Sequence, residues 1–268
     1  MTTWPRAFST LGCAKLPLVD VVRLAERTGF DGVELRSAEG EPIHRGLTLR
    51  QRREAVRTMA VGGLTPLSIA SYVEVDDPGM TDAQVVADTA AELELALDLG
   101  AAFVRVFPGG PSADDAAARR LSTVADRLHA FPGVTLAVET HDSLSRGADL
   151  AGLLGRVGHP RIRAVWDVQH PWRAGEPVET TVRLLMPLVA YVQITDARSL
   201  DDPTPRPLGT GVVPLQEVRS ALVGCGYGGW ISLEWASYWY ADAPPLSVAL
   251  DGAARWLDGT LWNDSSTG

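Results

Sequence analysis

The sequence predicts one (β/α)8 barrel, and three observations carry that prediction. Eight short β-like runs alternate with eight longer helix-like segments along 268 residues, about 33 residues per unit, the usual allotment for this fold. Helical segments ending in Gly29, Gly100 or Gly224 pass into the next β-like run within a few residues, as short αβ loops do. No linker, compositional break or low-complexity stretch divides the chain, so a single domain over 1–268 is expected, with a frayed polar tail over roughly 259–268. A doubly wound parallel sheet is the runner-up. It normally shows a Gly-rich phosphate loop after its first strand, whereas that turn here, STLGCAKLPLVD, holds one glycine.

In chain order, AFSTL (7–11) is the first strand and 17–28 the first helix. GVELR (32–36) alternates, with Val33 and Leu35 flanking Glu34, and leads to a helix over 48–61. PLSIAS (66–71) precedes the helix over 81–99, where Val85, Leu93, Leu95, Leu97 and Leu99 mix with acidic residues; Thr81 caps it and Gly100 ends it. FVRVF (103–107) sets Arg105 between Val104 and Val106 and precedes a helix over 114–130. VTLAVET (134–140) alternates Val134, Leu136 and Val138 with Thr135, Ala137 and Glu139, and a helix over 146–156 follows. RAVWDV (163–168) carries Asp167 between Trp166 and Val168 before a helix over 178–188. YVQIT (191–195) places Gln193 between Val192 and Ile194; the Pro-rich loop DDPTPRP (201–207) separates it from a helix over 214–223. WISLEW (230–235) sets Glu234 between Leu233 and Trp235, and the last helix covers 245–257.

The composition narrows the partners. Hydrophobic residues make up 46% of the chain, ample for a sizeable core. A net charge of −9 disfavours a nucleic-acid backbone, which needs a basic face. No run of about 18 apolar residues is present to span a bilayer, and the start, MTTWPRAFSTLGCAK, lacks the pattern of a signal peptide. Cys13 and Cys225 form neither a disulfide framework nor a zinc-site spacing. A cytoplasmic protein is therefore expected.

Successive strand residues point to opposite faces, so one parity packs on the helices and the other faces the barrel axis. Glu34, Arg105, Glu139, His141, Asp167, Gln193 and Glu234 all fall on the second parity, near strand C-terminal ends, where barrels carry their active sites. In AVETHDS (137–143) the apolar run stops at Glu139, and His141 and Asp142 follow at once. The bland alternative is a strand end entering solvent, with Asp142 or Ser143 capping the next helix. Three carboxylates converging in one mouth would repel one another and raise their pKa values, and a divalent cation removes that conflict. Glu139, Asp167 and Glu234 with the amide oxygen of Gln193 make an oxygen-only set suited to Mn2+ or Mg2+, with Zn2+ or Co2+ as alternatives.

The runs GFDGVELR, VETH, WDVQHPW, PLGTGVVPL and GYGGWISLEW resemble the sugar phosphate isomerase/epimerase family of xylose-isomerase-like TIM barrels, over nearly the whole chain and in the same order. In that family a Glu after the fifth strand, an Asp in D-x-x-H, a His after the seventh strand and a Glu after the eighth bind a divalent metal. The resemblance places these on Glu139, Asp167, Gln193 and Glu234. His170 matches the D-x-x-H histidine that contacts substrate hydroxyls, and Glu34 a structural glutamate. Arg105 is a candidate for a substrate oxygen or anion, or for a barrel-lining ion pair with Glu34. Two departures stand out: Gln193 replaces the family histidine, and Thr195 in QITDAR replaces a common lysine, for which Arg198 is a candidate substitute.

The resemblance implies an enzyme acting on a small sugar or polyol, with homo-oligomerisation left open. The cation polarises a carbonyl and stabilises an enediolate while Glu139 and Glu234 carry the proton in an isomerase or epimerase. The ETH run and the Gln ligand also resemble bacterial 3-dehydroshikimate dehydratases, in which His141 would be the base of an elimination. A non-catalytic barrel is the third expectation, raised by Gln193 and Thr195. Trp239 and Tyr238 are candidate walls for a sugar face, whereas Trp166 and Trp235 have helix-packing parity.

Overall fold

The computed structural model describes residues 3–110 and 115–261. Position 114 of the helix expected over 114–130, and positions 262–268 of the expected tail, lie outside the described residues. Eight parallel strands close into a barrel in sequence order: β1 (Arg6–Ser9), β2 (Gly32–Arg36), β3 (Thr65–Glu74), β4 (Phe103–Phe107), β5 (Thr135–Glu139), β6 (Ile162–Asp167), β7 (Val189–Ile194) and β8 (Ile231–Leu233). Closure through the β1–β8 pairing rules out the doubly wound sheet. The intervening helices are α1 (Leu18–Thr28), α2 (Leu49–Val61), α3 (Asp82–Leu99), α4 (Asp115–Arg127), α5 (Gly147–Val157), α6 (Gln169–Arg173), α7 (Val178–Leu185), α8 (Leu215–Gly224) and α9 (Leu246–Asp258). Among the described residues no helix is long and apolar enough to cross a membrane.

Local chemistry sets the boundaries. Thr81 caps α3 in a reciprocal box: its hydroxyl accepts from Gln84 N, and its own N–H reaches Gln84 Oε1 at 2.9 Å. Thr48 and Gln51 repeat the device on α2. Gly29 and Gly100 end α1 and α3 at φ 72° and 74°, a left-handed conformation that costs glycine little. Gly224, by contrast, is the last residue of α8, and Cys225 takes the cap. The helices expected over 114–130 and 178–188 tighten into 3-10 turns at Leu128–Ala130 and Met186–Leu188. In the second, Pro187 has no N–H to continue the helical ladder.

Neither Asp142 nor Ser143 caps α5; Arg146 holds the cap position, and Asp142 turns the chain at φ +43°. Helix α6 was not legible as a helix. It starts where Asp167 Oδ1 accepts the Gln169 N–H at 2.8 Å, an Asx-type turn, and Pro171 sits in its first turn.

The strand parities separate as the alternation requires. Phe8, Val33, Leu35, Ile69, Val104, Val106, Leu136, Val138, Trp166, Val192, Ile194, Ile231 and Leu233 join the helices in one buried cluster. Ala7, Leu67, Ala137, Val165 and Tyr191 form a second cluster that fills the barrel interior. Polar residues sit one step further along the same strands, above that apolar plug.

Candidate metal centre

Glu139, Asp167 and Glu234 end or follow β5, β6 and β8, and offer oxygen atoms that lie within 4.8 Å of one another. Glu139 and Asp167 are fully buried. Burial pushes all three carboxyl groups up. Asp167 rises to about 6, with the Glu34 charge adding to burial. Glu234 rises to about 7 through burial, the Asp167 charge and a hydrogen bond with Asp167. Glu139 is raised well above its ordinary value by burial and by Glu234 and Asp167, against the opposing pull of Arg105. Arg105 Nε lies 3.0 Å from Glu139 Oε2, an ion pair off the line of a hydrogen bond, and no hydrogen bond reaches either Glu139 oxygen among the described residues.

Gln193 pairs with Asp167 across β6 and β7. Its Nε2 donates to both Glu34 oxygens, at 3.1 and 3.3 Å, while its buried Oε1 has no partner among the described residues. Glu34 also accepts the Tyr191 hydroxyl at 2.6 Å, and Tyr191 reaches Ser68 at 3.3 Å. A buried polar network between the apolar plug and the mouth thus holds the Gln193 amide by its nitrogen. Three buried acceptor oxygens, two on Glu139 and one on Gln193, want a donor or a cation. Together with Asp167 and Glu234 they fit a hard divalent ion.

The other candidates divide. His141 and His170 face one another with ring centroids 4.3 Å apart, and the His141 Nδ1 lies 2.7 Å from Asp142 Oδ1. His170 Nε2 stands 3.7 Å from Asp167 Oδ2, and burial, with His141 and Arg173 nearby, lowers its pKa to about 3, so the ring is neutral. Arg105 is buried, donates to Ser71 O at 2.8 Å and lies 3.9 Å over the Phe107 ring. Its close carboxylate is Glu139, not the Glu34 expected from a barrel-lining pair. Arg198 does not line the mouth; it pairs with Asp202 at 2.9 Å within its own loop. The mouth itself is a cavity of about 320 Å3, walled by Tyr72, Phe107, His141, His170, Trp239 and Tyr240 above Glu139 and Glu234. Trp239 lines it and Tyr238 does not, whereas Trp166 and Trp235 are core residues.

The family model of the xylose isomerase-like TIM barrel matches residues 22–259. The chain belongs to that family. No curated protein sequence matches it. Several solved structures share the fold. The probable 3-DHS dehydratase AsbF involved in petrobactin synthesis from Bacillus anthracis superposes with a TM-score of 0.77 at 18% identity, over 93% of this chain and 98% of that one. D-psicose 3-epimerase with D-tagatose from Clostridium cellulolyticum H10 gives 0.77 at 14%, over 97% and 98%. The IOLI protein with a binding zinc atom gives 0.79 at 15%, over 97% and 99%. At such identities the likeness is one of fold.

Within this xylose isomerase-like barrel, two polar devices escaped the sequence reading. Asp196, just past β7, accepts backbone N–H groups from Ala197, Gly209, Gly211 and Val213 at 2.9 to 3.0 Å, tying down the loop that contains PLGTGVVPL. A Cβ on Gly211 would stand 2.3 Å from Asp196 Oδ1 and Ala197 O, so the loop closes only on glycine. Arg36, at the end of β2, pairs with Glu41, donates to the Tyr72 hydroxyl at 2.6 Å, and lies 4.3 and 5.9 Å from the Tyr238 and Trp239 rings. It pins the segment after β8 against the mouth. Arg36 lies on the parity of Glu34, which was the only available signal.

Proposed function

We propose that this barrel is a divalent-metal-dependent isomerase or epimerase of a small sugar or polyol. The observation that carries the reading is the meeting of Glu139, Asp167 and Glu234 with three buried acceptor oxygens, on Glu139 and Gln193, that no hydrogen bond reaches among the described residues, beneath an aromatic-walled cavity. Glu139, Asp167, Gln193 and Glu234 would hold the ion; Mn2+ or Mg2+ suits their oxygen donors. A cation bound there supplies positive charge against the oxyanion that develops when a proton leaves the carbon beside a carbonyl. Glu139 and Glu234 approach the cavity floor from different strands, and each is a candidate to take or return that proton. Arg105 opposes the rise in the Glu139 pKa and holds the carboxylate in place. His170, neutral, offers a hydrogen bond to a substrate hydroxyl, and Trp239 and Phe107 offer faces to the sugar ring.

A second reading, β-elimination from a dehydroshikimate-like substrate, is favoured by one observation: Asp142 stands beside the His141 ring, the arrangement that orients a general base. One experiment separates the two. The Mn2+-loaded enzyme is incubated in D2O with ketohexoses, ketopentoses, inososes and 3-dehydroshikimate, and followed by proton NMR and near-ultraviolet absorbance. Isomerisation or epimerisation predicts metal-dependent deuterium uptake at the α-carbon of a sugar, lost in Glu234→Gln and retained in His141→Asn. A new conjugated chromophore, lost in His141→Asn, replaces the isomerase reading with the lyase. Neither signal with any substrate leaves the non-catalytic barrel.

A further inference from the structure

A second group of donors stands beside the three carboxylates. A nitrogen on each of the His141 and His170 rings and an oxygen of Glu139 lie within 4.8 Å of one another. Two ligands on one tetrahedral zinc ion stand roughly 3.4 Å apart, given bond lengths of about 2.1 Å, so small side-chain rotations close the gap. The residues come from separate places: Glu139 from the end of β5, His141 from the turn after it, and His170 from α6.

Three further observations point to a ligand. Both Glu139 oxygens are buried and no hydrogen bond reaches them among the described residues, although Arg105 Nε stands 3.0 Å from one of them. The Asp142 carboxylate lies 2.7 Å from His141 Nδ1, and Asp142 is itself fixed by the Gly109 N–H at 3.2 Å. A carboxylate behind a histidine is the usual support of a metal-binding imidazole. Phe107, with its ring centroid 4.6 Å from that of His141, walls the other side.

We infer that Glu139, His141 and His170 form a second divalent site, selective for a nitrogen-seeking ion such as Zn2+, with Glu139 shared between the two sites. Two imidazoles and one carboxylate match zinc and cobalt rather than magnesium, whose preference is for oxygen. The ion would sit on the His141 and His170 side of the cavity and engage the ring that an elimination needs as its base. The inference rests on the proposed function only through Glu139.

The test is a metal count. The chelated chain is saturated with Mg2+, then titrated with Zn2+ by calorimetry, and bound ions are counted after equilibrium dialysis. The expected total is two divalent ions per chain, with the His141 and His170 ring signals shifting in nitrogen-15 NMR as the second enters. His141→Asn and His170→Asn should each weaken that second ion at least tenfold, and the double variant should stop at one. Both rings are partly exposed, so the variants retain the barrel core. A wild type that takes up no Zn2+ beyond any ion held by the three carboxylates, or a Zn2+ that survives unchanged in the double variant beside bound Mg2+, overturns the inference. Failure of Mg2+ to bind counts against the three-carboxylate centre alone. One Zn2+ lost in the double variant then still supports the histidine site.

Discussion

The two halves of the barrel mouth carry opposite chemistry. Strands β5 to β8 deliver Glu139, Asp167, Gln193 and Glu234, all oxygen donors, whereas β2 to β4 deliver Arg36, Tyr72 and Arg105, cations and an aromatic ring. The first half is electrostatically incomplete: burial raises its carboxyl groups, and acceptor oxygens lack donors. The second half is better compensated, though Arg105 Nε makes an ion pair and no hydrogen bond among the described residues. Arg36 has Glu41 and Tyr72, and Arg105 has Glu139 and Ser71. The difference teaches where a ligand belongs, because a folded chain tolerates a buried unpaired acceptor mainly where something else supplies its partner.

Breaking the incomplete half should have the largest effect. Glu234→Gln removes a proton carrier and an ion ligand together, and is expected to lower kcat by about 10²–10⁴. Steady-state turnover of the substrate found in the D2O experiment is the check. Breaking the link between the halves comes next. Arg105→Met leaves Glu139 buried without its counter-charge, a loss of about 3–5 kcal/mol in the chelated protein. The loss should shrink when Mn2+ is present, because the cation replaces the guanidinium. Urea unfolding with and without metal reads both values.

The raised carboxyl groups give a pH prediction whose sign is opposite to that of an ordinary salt bridge. With Asp167 at about 6 and Glu234 at about 7, the folded chain holds protons that the unfolded chain has already released near pH 4. Stability of the chelated protein therefore falls as pH rises from 4 through 7. Metal competes with those protons, so the Tm gap between Mn2+-loaded and chelated protein should widen from pH 5 to pH 8, by roughly 5 °C or more. Calorimetry at the two pH values reads the gap, and a gap that narrows contradicts the assignment.

Gln193 sharpens the comparison, since its amide joins the Glu34 network by one end and faces the centre with the other. Gln193→Leu should weaken Mn2+ about 10–100-fold, and Gln193→His should keep or tighten a transition metal. Equal affinity in all three proteins makes Gln193 a bystander. The smallest effect belongs to the exposed segment after β8 that Arg36 holds: Trp239→Ala, at 59% exposure, should raise KM a few-fold and leave Tm unchanged.

Much of this arrangement was legible in period-2 alternation. Val33-Glu34-Leu35 and Val138-Glu139 read correctly because strand parity is a local property, and β2 and β4 match their expected limits of 32–36 and 103–107. What was not legible depends on contacts far apart in the chain. The partner of Arg105 is decided by which strand end reaches it across the barrel, and Glu139 wins over Glu34. Helix α6 is started by a side chain, Asp167, rather than by apolar periodicity. Asp196 reads as a loop aspartate until four backbone amides from 13 to 17 residues away and next door close on it. Arg198 looked like a stand-in for the lysine at the Thr195 position, yet Asp202, four residues on, holds it in its own loop.

The central claim is that Glu139, Asp167, Gln193 and Glu234 hold one divalent cation. A crystal structure of the Mn2+-loaded protein, with diffraction collected at the manganese absorption edge, tests it most directly. The account predicts one anomalous peak with all four side-chain oxygens at about 2.0–2.4 Å. A fully Mn2+-exchanged crystal with no peak among these residues, or with the ion held elsewhere and Gln193 Oε1 still unpartnered, would contradict it.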